Sequence, residues 1–110
     1  MPHEARIRDM LIYNTTYAVP EEELACFMVW IREKYIPLVH DEGTLREGRL
    51  ARILSHGSDE GYSFSLQFCV EDSAALHKWF VKQGRPLQEE MRKVFGNRVA
   101  GFSTLMEVIE

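Results

Sequence analysis

Hydrophobic and polar positions divide the chain into six segments whose periods alternate between two and about 3.6 residues. Residues 10–19, "MLIYNTTYAV", are rich in β-branched and aromatic types with no breaker inside, which predicts a first strand. Pro20 ends it, and "PEEEL" supplies a proline suited to the first helical position and three glutamates where the helix dipole favours negative charge. Leu24, Phe27, Met28, Ile31, Tyr35 and Leu38 then recur at helical spacing, predicting a first helix that Pro37 kinks and Gly43 stops. Residues 49–56, "RLARILSH", and 62–70, "YSFSLQFCV", predict two strands joined by the glycine-bounded turn "GSDEG". In the latter, Tyr62, Phe64, Leu66, Phe68 and Val70 line one face, and Ser63, Ser65, Gln67 and Cys69 the other. A second helix opens at Asp72 or Ser73 and carries Leu76, Trp79, Phe80, Gln83, Leu87, Met91 and Phe95, with Gly96 as its stop. "GRP" at 84–86 predicts a kink or a break into two helices. "RVAGFSTLMEVI" is a fourth strand, and no internal repeat, linker or low-complexity segment stands out.

The order βαββαβ is that of an α+β, ferredoxin-like domain: a four-stranded antiparallel sheet with both helices on one face. One domain over residues 10–110, preceded by a tail at 1–9, accounts for all 110 residues. In this frame "YNTTY", "KYIP", "RLAR", "YSFSLQF", "FGNRV" and "FSTLMEVI" resemble, in order and spacing, the bacterial family of small domains of unknown function DUF4286. That family is placed among the dimeric α/β-barrel proteins. The resemblance implies a fold and a homodimer; it carries no activity, and no motif of the oxygenases, haem-handling proteins or isomerases of the wider group maps onto these residues.

Composition narrows the partners. The content of 45% hydrophobic and 27% charged residues is that of an ordinary globular domain. A net charge of −4 opposes nucleic acid, whose phosphates need many lysine or arginine contacts. The cluster Arg46, Arg49 and Arg52 does not rescue that reading, because Arg49 and Arg52 have opposite parity on a strand. No apolar run reaches the roughly 18 residues of a membrane span or the pattern of a signal peptide, so a cytoplasmic location is expected, with no membrane partner. Cys26 and Cys69 are far apart in apolar runs and read as reduced core residues.

Candidate chemistry is sparse. The histidines His3, His40, His56 and His77 share no HxxxH or similar spacing, and neither a metal nor another cofactor is expected. In "KYIPLVHDEG", His40 beside Asp41 and Glu42 suggests a small active site, but the end of a helix explains it, since the dipole there favours a cation. His77 lies in the first turn of the second helix and is equally unsupported as a haem ligand. Ser63, Ser65 and Ser103 lack a glycine elbow that would expose an activated hydroxyl.

The sheet face left uncovered by two helices is the more informative surface. It carries Ser63, Ser65 and Gln67, which are the candidates for the dimer interface. If a cavity lies between the two sheets, Tyr13, Thr15, Tyr17, Arg52 and Gln67 are the candidates to bind a small anionic ligand, with Arg52 as its charge partner. The expected function is a non-catalytic structural or small-molecule-binding homodimer. The enzyme alternative is a cofactor-independent oxygenase or isomerase acting on a small aromatic or unsaturated acid in that intersheet cavity.

Overall fold

The structure of the protein, a computed structural model, describes residues 10–54 and 61–109. Strands β1 (Leu11–Val19), β2 (Arg46–Arg52), β3 (Tyr62–Val70) and β4 (Ala100–Glu107) form one antiparallel sheet in the order β2-β3-β1-β4. Helix α1 (residues 24–42) follows β1 after a short 3₁₀ turn, and helix α2 (residues 73–95) follows β3. This is the ferredoxin-like α+β fold. Among the described residues no helix is long and apolar enough to cross a membrane.

Alternation along β3 decides which face is covered. Phe64, Leu66, Phe68 and Val70 are buried, whereas Ser63, Ser65, Gln67 and Cys69 are half-buried on the other side. Phe27 of α1 stacks on Phe64, Tyr35 packs on Phe68, and Trp79 of α2 meets Tyr13 edge-on. Both helices therefore lie on the face of Phe64 and Phe68. Phe27, Phe68, Trp79 and Phe95 are at most 2% exposed and form the centre of the core.

Neither helix breaks at its proline. Each inserts one wide turn instead, Ile31–Tyr35 in α1 and Phe80–Gly84 in α2. The Ile36 N–H bonds to the Ile31 carbonyl and the Arg85 N–H to the Phe80 carbonyl, each five residues back. Pro37 and Pro86 come next in the chain, where a donor would otherwise be missing from the regular ladder. Gly84 and Arg85 keep helical dihedrals (φ −63° and −64°), so of the kink or break expected at "GRP" the break does not occur, and a wide turn stands within a continuous helix. The extra residue also moves the buried stripe of α1. It runs Phe27, Ile31, Tyr35, Val39, with Val39 fully buried and Leu38 41% exposed, where an unbroken period would have buried Leu38.

β2 begins at Arg46, three residues earlier than its pattern suggests, because a bulge between Arg46 and Arg49 resets the register against β3. Glu47 sits there at φ 58°, a left-handed conformation. Past the bulge, Arg49 pairs with Gln67 and Arg52 with Phe64, so these two arginines do face opposite sides. Gly43, at φ 95°, ends α1, and the Asp72 carboxylate caps α2 by accepting from Ala75 N–H at 2.8 Å.

Candidate functional site

Strand register sorts the candidate residues onto two faces. Tyr13, Thr15 and Tyr17 pair with Phe68, Leu66 and Phe64, and Arg52 also pairs with Phe64; all four therefore have the parity of the helix-covered face. Gln67, Ser63 and Ser65 are on the uncovered face, opposite Asn14, Ala18 and Thr16. The grouping of Tyr13, Thr15, Tyr17 and Arg52 with Gln67 around one cavity is thus not what the register produces. Arg52 is separated further, because its guanidinium lies over the Tyr62 ring, 5.0 Å from the centroid, at the β2 edge.

Tyr13, Thr15 and Tyr17 nevertheless line a cavity. A chamber of about 190 Å³ lies between the β1/β4 half of the sheet and α2. Its floor is Tyr13, Thr15, Tyr17, Gly101 and Ser103; its roof is Trp79, Phe80, Gly84 and Leu87, with Tyr35 closing one side. The exposed Gln88 and Arg92 stand at the rim. A wider outer chamber of about 500 Å³ shares Tyr13, Phe80, Gln88 and Ser103 with the inner one and adds His77 and Phe102.

Two wide helical turns and two glycines shape this space. Wide turns in both helices border it, through Tyr35 in α1 and through Phe80 and Gly84 in α2. At Gly84 an added Cβ would stand 2.7 Å from Trp79 Cζ3 and 2.9 Å from Phe80 Cδ1, so only glycine lets both rings settle there. At Gly101 a Cβ would stand 3.0 Å from Tyr17 Cδ1. Gln83 Oε1 accepts from Trp79 Nε1 at 2.6 Å while its Nε2 donates to the Leu38 carbonyl at 3.0 Å, which ties the roof to α1.

The floor carries converging hydroxyls. Ser103 Oγ lies 3.1 Å from Tyr13 Oη and 3.2 Å from Thr15 Oγ1. Tyr17 lines the same floor, beside Thr15 and Tyr35. Burial, reinforced by the neighbouring Tyr13, pushes the Tyr17 phenol well above its ordinary value. Burial and then Tyr17 do the same to Tyr35. Both are neutral hydrogen-bonding groups at physiological pH, unsuited to act as phenolate bases.

Other candidates separate. His40 lies in the last turn of α1, and its Nε2 accepts the Gly48 N–H at 3.0 Å. Cys26 is exposed on α1, because it lies one position off the buried stripe, and Cys69 is half-buried on the uncovered sheet face by alternation; neither is a core residue. Both are free thiols. His3 and His56 lie outside the described residues, as does most of the turn joining β2 to β3. Among the described residues no three histidine, cysteine, aspartate or glutamate side chains gather as a metal site would need. Sequence reasoning missed Trp79, Gly84, Gly101 and Ser103 as cavity residues. The available signal was a recurrence, "WIREKYIPL" at 30–38 and "WFVKQGRPL" at 79–87, in which Trp, Pro and Leu repeat at one spacing.

The family model described as "Domain of unknown function (DUF4286)" matches residues 10–109. The chain belongs to that family. No curated protein matches the DUF4286 chain in sequence. Among solved structures it is similar to an ethyl tert-butyl ether D (EthD) family protein from Bacillus halodurans C-125, at 18% identity and a TM-score of 0.66 over 86% of this chain and 96% of that one. It is also similar to a candidate antibiotic biosynthesis monooxygenase from Bacillus cereus, at 11% identity and a TM-score of 0.61 over 92% of this chain and 94% of that one. A candidate monooxygenase from Shewanella loihica PV-4 superposes at 17% identity and a TM-score of 0.58, covering 92% of this chain and 95% of that one. These likenesses establish a shared fold.

Proposed function

We propose that this DUF4286 protein is a homodimer that holds one small molecule per subunit in the chamber between β1/β4 and α2. The observation that carries the reading is the floor of that chamber, where Tyr13, Thr15 and Ser103 hydroxyls meet beneath the Trp79 and Phe80 rings. Apolar walls with a few converging polar groups are the ordinary construction of a ligand site. Arg92 at the rim takes the place first assigned to Arg52 as charge partner for an acidic substituent. The dimer forms through the uncovered face, centred on Ser65, whose hydroxyl donates to Asn14 Oδ1 at 2.5 Å, and flanked by Ser63 and Gln67.

Native mass spectrometry of the protein purified from its own host tests this. The expected spectrum is a dimer with a small-molecule adduct lost on denaturation. An adduct-free protein whose melting temperature no member of a small aromatic library raises would refute the binding role. The enzyme reading is a cofactor-independent oxygenase or isomerase using the same chamber. It is favoured by one observation, the likeness of the fold to candidate monooxygenases, and conversion of the retained molecule, with oxygen uptake for an oxygenase and without it for an isomerase, distinguishes it from binding alone.

A further inference from the structure

The two helices match position for position. Trp30 and Trp79 precede the wide turns, Pro37 and Pro86 follow them, and each turn ends two residues before its proline. Tyr35 closes the first turn, and Gly84 stands at the matching place in the second. In the α1 half, the Tyr35 ring occupies the layer between helix and sheet, buried against Phe68. The α2 half carries no side chain at the matching place: the Trp79 and Phe80 rings close over Gly84, where a Cβ would stand 2.7 Å and 2.9 Å from them, and the same two rings roof the 190 Å³ chamber.

We infer that the chamber accepts a one-ring phenol, a molecule with one ring for the aromatic roof of Trp79 and Phe80 and one hydroxyl for the floor of Tyr13, Thr15 and Ser103. The inference rests on the chamber reading above and names its ligand class. Size supports it, because a cavity of roughly 150 Å³ takes benzene, leaving in this one room for a substituent or two. Polarity supports it as well. Tyr13, Ser103 and Thr15 contribute three hydroxyl protons and share two mutual contacts, so one proton and several lone pairs remain for a ligand hydroxyl. The ring of such a ligand lies against Trp79 and Phe80, and a substituent para to the hydroxyl points toward Arg92 at the rim.

The probes are 4-methylphenol, which is the tyrosine side chain itself, toluene, which differs by lacking the hydroxyl, and 2-naphthol, which adds a ring. Binding to the protein is followed by tryptophan fluorescence and calorimetry. Toluene leaves water more readily than 4-methylphenol, so a preference for the phenol reports a hydrogen bond made in the site. The expected preference is about tenfold, and Ser103→Ala or Tyr13→Phe, neither of which opens a large cavity, should reduce it to about twofold. Toluene binding as tightly as 4-methylphenol, or an unchanged preference in both variants, would overturn the phenol assignment. Binding of 2-naphthol without 4-methylphenol would overturn it too while leaving the chamber a ligand site. Failure of all three probes would overturn the phenol assignment, and with an adduct-free native spectrum as well it would remove both readings together.

Discussion

Gly48 donates its backbone N–H to Nε2 of His40 at 3.0 Å, which joins the last turn of α1 to the bulge that starts β2. The same imidazole meets Phe68 edge-on at 5.8 Å, and a Cβ on residue 48 would stand 2.7 Å from Phe68 Cε1. One histidine thus holds a bulge in place against a core ring. His40→Phe keeps an aromatic edge but removes the acceptor, leaving the Gly48 N–H without this partner. The expected loss of stability is about 0.5–1.5 kcal/mol, read from urea unfolding. A wild-type midpoint for the variant would show that the contact contributes nothing.

Acidification should be felt at Glu42. Its carboxylate accepts from the Thr44 N–H at 2.9 Å and lies 3.3 Å from Lys82 Nζ, and the Thr44 hydrogen bonds hold its pKa below the ordinary glutamate value. A group whose folded pKa is depressed stabilises the fold above the unfolded value and loses that contribution as pH falls through the folded one. The Glu42→Gln variant should therefore be less stable than wild type at neutral pH, and the gap should close below about pH 4. Equal stability at both pH values would dispose of the idea.

The buried phenols act at the opposite end of the scale. Burial raises the pKa of both Tyr17 and Tyr35, so the folded state holds these protons more firmly than the unfolded chain does. Stability should therefore fall as pH rises past the ordinary tyrosine value of about 10. In a spectrophotometric titration of the four tyrosines, two should stay protonated at about pH 11 until the protein unfolds. Ionisation of all four without loss of the native circular dichroism would contradict their placement.

Assembly is tested by charge. Ser65 is mid-strand on the uncovered face, and in a closed two-fold dimer one substitution enters the interface twice. Ser65→Arg would bury two bulky cations, each costing several kcal/mol unless paired. Light scattering coupled to gel filtration should show a dimer for wild type and for the surface control Glu22→Arg, and a monomer or aggregate for Ser65→Arg. An intact Ser65→Arg dimer would move the interface elsewhere.

Helix capping offers a simpler check of local structure. Asp72→Ala removes the acceptor for Ala75 N–H and should cost about 1 kcal/mol, visible as a lower thermal midpoint.

Much of this architecture is written along the chain. Alternation in "YSFSLQFCV" identifies the buried face of β3, because side chains on a strand must point to opposite sides whatever surrounds them. Glycine at 43 and aspartate at 72 mark helix ends because a left-handed residue and an N-cap carboxylate are local requirements. The order of elements and the resemblance of their motifs give the family and the fold.

Three things were decided only in space. The faces of β1 and β2 depend on pairing with β3, and a one-residue difference in register would move Tyr13, Thr15 and Tyr17 to the other side. The response of the helices to Pro37 and Pro86 depends on packing: a wide turn keeps Tyr35 and Val39 on the core, as well as Trp79 and Leu87, where a break would have exposed them. The chamber exists because Gly84 and Gly101, seventeen positions apart by number and on different elements, come to line one gap whose neighbours fit only around missing side chains. Periodicity records which side of an element is apolar, a property of each segment alone; a cavity is a shortfall of volume between segments, and no single segment carries it.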